Sequence, residues 1–343
     1  MRFYRLPRTG DIADLTLDDR GETPRPGRGQ VRVRMRAASL NYRDLMVVQG
    51  RYGPGGVAEN RIPLSDGAGE IAAVGEGVTR FREGDRVAGI FMQTWLGGDV
   101  GERDQDSALG GAVDGVLSEE VLFDQQGLVA LPEHLDFAQG ATLPCAAVTA
   151  WNALFHGRRP LTAGDSVLLL GTGGVSMFAL QFALAAGARV IQTSSSDDKL
   201  ARVRQLGAHA VVNYRTTPEW AETVRACNGG HGVDHVVEVG GAGTLKESLD
   251  AVRRGGQVNL IGVLTGGEIE PSAIMRKSVT LRGIYVGSRE MFKRMNRAIA
   301  HHALEPIVDR RFAFEEAQAA FRHLESQRHL GKVVIDFDRR AAG

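Results

Sequence analysis

Over the first 125 residues or so, apolar and polar positions alternate in short runs. Gln30–Ala37 alternates with the period of a strand. Gly67–Val74, Asp85–Phe91 and Val113–Phe123 are further short apolar or alternating runs. A period of two puts every second side chain on one face, so such runs predict strands with one face in a core. Glycine and acidic turns part them, as at Gly75-Glu76-Gly77 and Arg82-Glu83-Gly84-Asp85. Short strands with frequent glycine turns predict a small barrel or sandwich. Residues 92–112 are rich in glycine and aspartate and read as a surface loop.

The pattern changes near Leu131-Pro132. Phe137–Leu143 and Ala146–Phe155 have helical spacing, and Ser166–Leu170 is a solid apolar run of the kind expected for a buried strand. Strands are then predicted at Arg189–Thr193, Ala210–Asn213, His235–Val239, Gln257–Ile261 and Thr280–Val286. Helical stretches lie between the first five: Met177–Ala186, Asp198–Leu206, Glu219–Cys227 and Leu245–Val252. Alternating strands and helices predict a parallel sheet covered on both faces. Met291–Ala300 and Glu315–Glu325 read as helices, and Lys332–Phe337 as a last strand. The expected fold class is α/β, a β-barrel domain plus a doubly wound parallel sheet. A chain of 343 residues suits two domains of ordinary size.

One junction carries chemistry. Val167-Leu168-Leu169-Leu170 runs into Gly171-Thr172-Gly173-Gly174-Val175-Ser176, and a helix follows. Strand, glycine loop and helix form the context in which a glycine fingerprint predicts dinucleotide binding. Gly171 allows the tight turn, Gly173 lets backbone approach a pyrophosphate, and the helix start offers free N–H groups. Ser176 stands where a third glycine is usual. The second strand ends Gln192-Thr193-Ser194-Ser195-Ser196, with no carboxylate to bind a ribose 2′-hydroxyl. Hydroxyls such as Ser194 and Ser195, with Lys199, suit a 2′-phosphate instead. NADPH is therefore expected over NADH. Helix capping is the alternative use of the serines.

Composition narrows the classes. Forty-one basic and 41 acidic residues balance, so the overall charge gives no footprint for nucleic acid or an anionic membrane. The basic set holds only five lysines, at 199, 246, 277, 293 and 332. Two cysteines exclude a disulfide framework and any four-cysteine metal site. No run of about 18 apolar residues could span a membrane. The start, Met-Arg-Phe-Tyr-Arg-Leu-Pro, has no apolar stretch of leader length, and a cytoplasmic location is expected.

Taken in order, a set of short motifs resembles the medium-chain dehydrogenase/reductase superfamily, and within it the zinc-independent quinone oxidoreductase branch. They are Ala38-Ser39-Leu40-Asn41-Tyr42-Arg43-Asp44, Ser65-Asp66-Gly67-Ala68-Gly69-Glu70, Val74-Gly75-Glu76-Gly77-Val78 and Gly84-Asp85-Arg86-Val87. Leu143-Pro144-Cys145, Thr149-Ala150-Trp151, Gly171–Ser176, Asn213-Tyr214 and Gly331-Lys332-Val333-Val334 complete the set, which covers almost the whole chain. The resemblance implies a GroES-like domain at 1–126, with 290–343 returning to it, and a Rossmann NADP-binding domain at 127–289. It also implies an active site in the cleft between them, and a homodimer paired near Thr280–Val286.

For metal, the resemblance puts Asn41, Ser65 and Cys145 where zinc-dependent members carry their ligands. One thiolate cannot supply the three protein ligands of a catalytic zinc, and Asp66 as a second ligand would be unusual. No histidine falls at a motif position, and the expected metal is none. Cys145 is expected as a small buried apolar residue; Cys227 receives no role. Asn41, Tyr42 and Asp44 are the expected catalytic residues: Tyr42 a hydrogen-bond donor, Asn41 an orienting group, Asp44 a group that positions neighbours or water. Packing is the alternative for Tyr42, and Arg43 is expected in a structural ion pair. Ser195, Lys199 and Tyr214 would surround the 2′-phosphate. Gly240, Gly241, Ile261 and Gly262 would let the cofactor approach; Thr149 would lie near it, and Lys332 either near it or on the surface. Substrate contacts are expected from 50–60, 91–112 and 263–290. The implied activity is hydride transfer from NADPH to a quinone or an α,β-unsaturated carbonyl compound. The alternatives are an alcohol dehydrogenase with a degenerate zinc site and a non-catalytic NADPH-binding protein.

Overall fold

The structure is a computed structural model, described for residues 1–53, 55–262 and 264–339. Pro54 and Val263, in two stretches expected to contact substrate, and the last four residues of the returning segment lie outside it. The chain separates into two compact units, Met1–Val148 together with Gly287 onward, and Thr149–Val286.

In the first unit, β1 (Arg2–Arg5) and β2 (Thr16–Asp19) form an antiparallel pair. Then come β3 (Gln30–Leu40), the helix Tyr42–Val48, β4 (Asp66–Val74), β5 (Arg86–Gly89), β6 (Glu120–Asp124) and β7 (Leu128–Ala130). In the second unit follow β8 (Ser166–Leu170), β9 (Arg189–Ser194), β10 (Ala210–Asn213), β11 (Val233–Glu238), β12 (Val252–Leu260) and β13 (Thr280–Gly283). The chain returns to the first unit with β14 (Val308–Ala313) and β15 (Lys332–Asp336).

β3 is the spine of the first unit. The sheet runs β14-β15-β3-β4-β5-β7, with β6 also on β3. Val31, Val33 and Met35 are buried on alternate positions, as the period of two predicts; from Ala37 to Leu40 every residue is buried. There β3 lies between β15 and β4, which explains the loss of alternation. Leu6, Leu15, Leu64, Ile71, Leu117, Phe314 and Phe321 fill the core around it.

Several expected boundaries change. A division at 126/127 would give residues 127–148 to the second unit. They belong to the first, because β7 pairs with β5 and the Cys145 N–H donates to Asp66 on β4. Val113–Phe123 was expected as one strand; only Glu120–Asp124 is regular, because 113–118 makes isolated bridges and loop contacts. Thr280–Val286 shortens to Thr280–Gly283, with Val286 at φ +55° outside the extended region.

The second unit is a parallel sheet ordered β10-β9-β8-β11-β12-β13. β8 is buried along its whole length, as expected of a central strand covered on both faces. From β8 the chain winds outward to β9 and β10, then crosses back to β11 and continues to β13, an edge strand. The order therefore reverses between β8 and β11. At such a switch point, loops leaving the carboxyl ends of neighbouring strands diverge and leave room for a ligand.

Candidate active site

The second unit places its glycine loop at that switch point. β8 leads into Gly171, whose φ of +68° favours glycine, and Gly173 precedes the helix Gly174–Ala185. A Cβ built on Gly171 or Gly173 would meet no protein atom within 4 Å. Gly173 has an ordinary φ of −77°, so neither backbone strain nor packing within the chain requires a glycine there. The open space in front of free helix N–H groups suits a dinucleotide pyrophosphate. Thr172 is buried, while Gly174 and Val175 are half-buried. Ser176 is buried because its hydroxyl donates to the Leu170 carbonyl at 2.6 Å, tying helix to strand where a third glycine is usual. Gln192 on β9 donates to the Gly171 carbonyl at 2.8 Å and fixes the turn from the side.

The serine run divides its labour. Ser196 is the N-cap of the helix Asp197–Gln205, its hydroxyl accepting from the Lys199 N–H. Asp197 accepts from the Asn213 amide at 2.8 Å, which gives that carboxylate a structural partner. Ser194 is buried at the end of β9, Ser195 and Lys199 are half-buried, and Tyr214 is exposed. The Tyr214 N–H donates to the Ser194 carbonyl, which brings these positions together.

Gly240, Gly241, Ile261 and Gly262 follow β11 and β12, and most of these glycines answer first to the fold. A Cβ on Gly262 would lie 1.9 Å from the Val239 carbonyl oxygen, and one on Gly240 2.3 Å from the Thr244 hydroxyl. Gly241 has φ +96°. Glu238, which sequence reasoning missed, organises this corner. Its buried carboxylate accepts from Gly240 N–H at 2.7 Å, Gly241 N–H at 3.1 Å, the Thr244 hydroxyl at 2.6 Å and the Ser248 hydroxyl. The only signal was an acid inside Val-Val-Glu-Val. Thr149 is buried on the helix Val148–Phe155.

The first unit assembles a second polar group from four segments. Asn41 is the N-cap of the helix Tyr42–Val48. Asp44 is fully buried and accepts from the Asn41 N–H at 2.8 Å and from Arg43 Nη1 at 3.1 Å. Asp44 therefore fixes the helix start. Arg43 also donates to the Leu109 carbonyl and lies over the Tyr52 and Phe91 rings, at 4.5 and 5.0 Å. Burial disfavours its charge, but Asp44 and Tyr52 hold its pKa above the ordinary guanidinium value. Tyr42 is half-buried, its side chain packed against the core.

Lys332, on β15, is buried here. Its Nζ donates to the Leu40 carbonyl at 2.6 Å and to Asn41 Oδ1 at 2.5 Å. Burial pulls its pKa below the ordinary lysine value, against Asp66, Cys145 and Asp44, which raise it. Asp66 accepts from the Ser65 hydroxyl at 2.7 Å and from the Cys145 N–H at 3.0 Å. Burial pushes the Asp66 carboxyl up to about 6, assisted by Asp44 and opposed by Lys332 and by hydrogen bonds from Asn41 and Ser65. Cys145 keeps some exposed surface, yet burial, with Asp66 beside it, pushes its thiol well above the usual value.

The same atoms test a metal. Zinc needs lone pairs from thiolate, imidazole or carboxylate. Here Asn41 Oδ1 accepts from the Lys332 ammonium and the Ser65 hydroxyl donates to Asp66, which leaves Cys145 alone among the three positions as a possible thiolate donor. Among the described residues no group of three or more His, Cys, Asp and Glu side chains is placed to hold a metal ion. These residues do not fit a zinc ion.

A barrel-type unit and a parallel sheet with a glycine loop at its switch point define a two-domain dehydrogenase/reductase architecture. Residues 27–133 match the alcohol dehydrogenase GroES-like domain, and residues 174–301 match the zinc-binding dehydrogenase family. A zinc-type alcohol dehydrogenase-like protein of Schizosaccharomyces pombe is 43% identical, over 90% of this chain and 91% of its own. A quinone oxidoreductase of Rattus norvegicus is 30% identical over 98% of this chain and 97% of its own. The solved structure of an NAD-dependent alcohol dehydrogenase, 31% identical, covers 98% of this chain and 100% of its own, with a TM-score of 0.87. The chain belongs to the medium-chain dehydrogenase/reductase superfamily, a family of oxidoreductases.

Proposed function

We propose that the protein is a zinc-free, NADPH-dependent reductase of quinones or α,β-unsaturated carbonyl compounds, acting as a homodimer paired along β13. The observation that carries this reading is the donor set around Asn41, where an amide oxygen bonded to the Lys332 ammonium and a hydroxyl bonded to Asp66 stand at two of the three ligand positions. Without a Lewis acid, nothing in the set lowers the pKa of an alcohol, which disfavours alcohol oxidation. An electron-poor carbon needs no such activation.

The cofactor, when bound, supplies the hydride. In this reading Gly171–Val175 hold its pyrophosphate with backbone N–H groups at a helix start. Ser194, Ser195, Lys199 and Tyr214 take the 2′-phosphate; Ser196 and Asp197 are already engaged. Thr149, Gly240, Gly241, Ile261 and Gly262 border its path. As hydride reaches carbon, charge grows on the substrate oxygen, and donors aimed at that oxygen lower the barrier. Tyr42 is the proposed donor. Asn41 orients, Asp44 holds the helix that carries both, and water or a side chain delivers the proton.

The test is NADPH oxidation with a panel of quinones and enones, using protein purified without chelator and analysed for metal. Turnover at far less than one zinc per chain supports the reading. Stoichiometric zinc would favour the activity named for the S. pombe relative. Tight NADPH binding with no turnover across the panel would favour a non-catalytic binding role.

A further inference from the structure

A cavity of about 900 Å³ in the second unit plays no part in the cofactor reading. The helices Trp220–Cys227, Ala242–Ala251 and Pro271–Lys277 line it, and it reaches Gly232 before β11 and Val252 at the start of β12. Gly240, Gly241, Ile261 and Gly262 leave the same two strands at their carboxyl ends. The six residues of β11, at about 3.3 Å each, put its two ends roughly 20 Å apart.

The charges in this cavity are sorted. Toward the helix starts, Lys246 is held by Asp250 at 3.0 Å and Glu247 at 3.7 Å, which leaves Glu219 and Glu222 without an ion pair among the described residues. Toward the amino ends of the strands the charge is basic. Arg253 is paired with Asp234 at 2.6 Å. Half-buried Arg225 reaches only the Gly230 carbonyl, at 3.5 Å. Exposed Arg254 has no side-chain partner among the described residues. Lys277 donates to the carbonyls of Leu249 and Asp250, at 2.6 and 2.8 Å, which close the helix Ala242–Ala251. Burial pulls its pKa below the ordinary lysine value; Asp250 opposes that, and the charges of Arg225 and Arg254 add to it. Three cations from three elements thus face one recess, and Asp250, which offsets them, is already bonded to Lys246. An oxyanion among them would relieve their repulsion.

We propose that Arg225, Arg254 and Lys277 bind the phosphate of a small hydroxyl-bearing molecule, at a site separate from the cofactor's. Guanidinium forks match phosphate oxygens in pairs, and the lysine adds a point charge. The cavity is of the size that takes small molecules. Its acidic end selects among phosphates. Glu219 and Glu222 repel an extended polyanion, and they accept from the hydroxyls of a neutral body joined to the phosphate. A sugar phosphate has that pattern, an anion at one end and hydroxyls at the other. The site stands whether or not the protein is a reductase.

The test is isothermal titration calorimetry of the full chain with ribose 5-phosphate, inorganic phosphate and a single-stranded RNA oligonucleotide. The wild type is expected to bind ribose 5-phosphate more tightly than phosphate, and RNA not at all. Replacing both arginines, Arg225→Gln with Arg254→Gln, should weaken both phosphates by about tenfold or more, the range of charged hydrogen bonds. Its Tm should match the wild type, since neither side chain holds the core. Arg254→Gln alone, at an exposed position, should shift binding in the same direction and keeps the test open if the double variant folds poorly. Glu219→Gln with Glu222→Gln should weaken ribose 5-phosphate and spare phosphate. No binding by the wild type, or binding that survives loss of both arginines, would overturn the proposal; the second result would place the anion elsewhere, as at the glycine loop. RNA bound in preference through the same arginines, or equal affinity for phosphate and ribose 5-phosphate, would overturn the proposed ligand class.

Discussion

The glycine loop of the second unit and the polar group of the first are built in opposite ways. The loop is contiguous: six residues from Gly171 to Ser176 close a strand and open a helix. What suits it to a ligand is space, since added Cβ atoms at Gly171 and Gly173 would touch nothing. The polar group draws Asn41, Asp66, Cys145 and Lys332 from four distant segments, and its atoms are largely engaged with one another. The first kind of site advertises itself in sequence. The second depends on how β15 returns alongside β3. The difference teaches that a glycine or a polar side chain means little until its neighbours are known.

Substitutions sharpen this contrast. Gly262→Ala should have the largest effect, because its Cβ would fall 1.9 Å from the Val239 carbonyl oxygen. A loss of about 1–3 kcal/mol, as for overpacked sites, is expected in the denaturant midpoint. A wild-type midpoint would mean that Gly262 serves the cofactor alone. Gly173→Ala should do the reverse. Its Tm should match the wild type, while NADPH affinity falls roughly tenfold, the equivalent of about 1.4 kcal/mol. If both glycines behaved alike, the distinction between a glycine required by the fold and one required by a ligand would collapse.

The polar group should respond to pH. The Asp66 carboxyl, pushed up to about 6 by burial, titrates above the roughly 3.9 expected of an unfolded aspartate. Between those values the folded state holds the extra proton, so ionisation costs stability. The contribution of Asp66 is thus present below about pH 4 and lost as pH rises through about 6. Asp66→Asn cannot ionise. Thermal melting should therefore show the wild type losing ground to Asp66→Asn as pH climbs through that window, and the opposite trend would mean the carboxylate is stabilised by its neighbours. The smallest effect concerns Cys145. With its thiol pKa raised by burial, it should resist iodoacetamide in the native protein near pH 8, where a free thiol of pKa about 8.5 reacts, and become reactive on unfolding. Mass spectrometry of the alkylated peptide would show it.

How far the sequence foretells this structure follows from the same contrast. The βα alternation, the barrel strands and the loop at Gly171 were legible because period and local turn chemistry specify them. The β1–β2 pair and β14 were not, since strands of four to six residues without a clear alternation of buried and exposed positions carry little pattern. The switch from the first unit to the second came later than the change in pattern at Leu131, because β7 belongs to the barrel sheet by pairing rather than by composition. Glu238 stayed hidden because one acid in an apolar strand looks like a flaw until four donors surround it. Lys332 was expected either near the cofactor or on the surface; it is buried, and its contact with Asn41 links positions 291 residues apart, which no local signal encodes.

The central claim, metal-free reduction with a preference for NADPH, is tested most directly by initial rates of NADPH and NADH oxidation with menadione and a panel of enones, before and after chelator treatment. The account predicts faster turnover with NADPH at equal saturation and rates that the chelator leaves unchanged. Faster turnover with NADH, or activity that disappears with the chelator and returns with zinc, would contradict it.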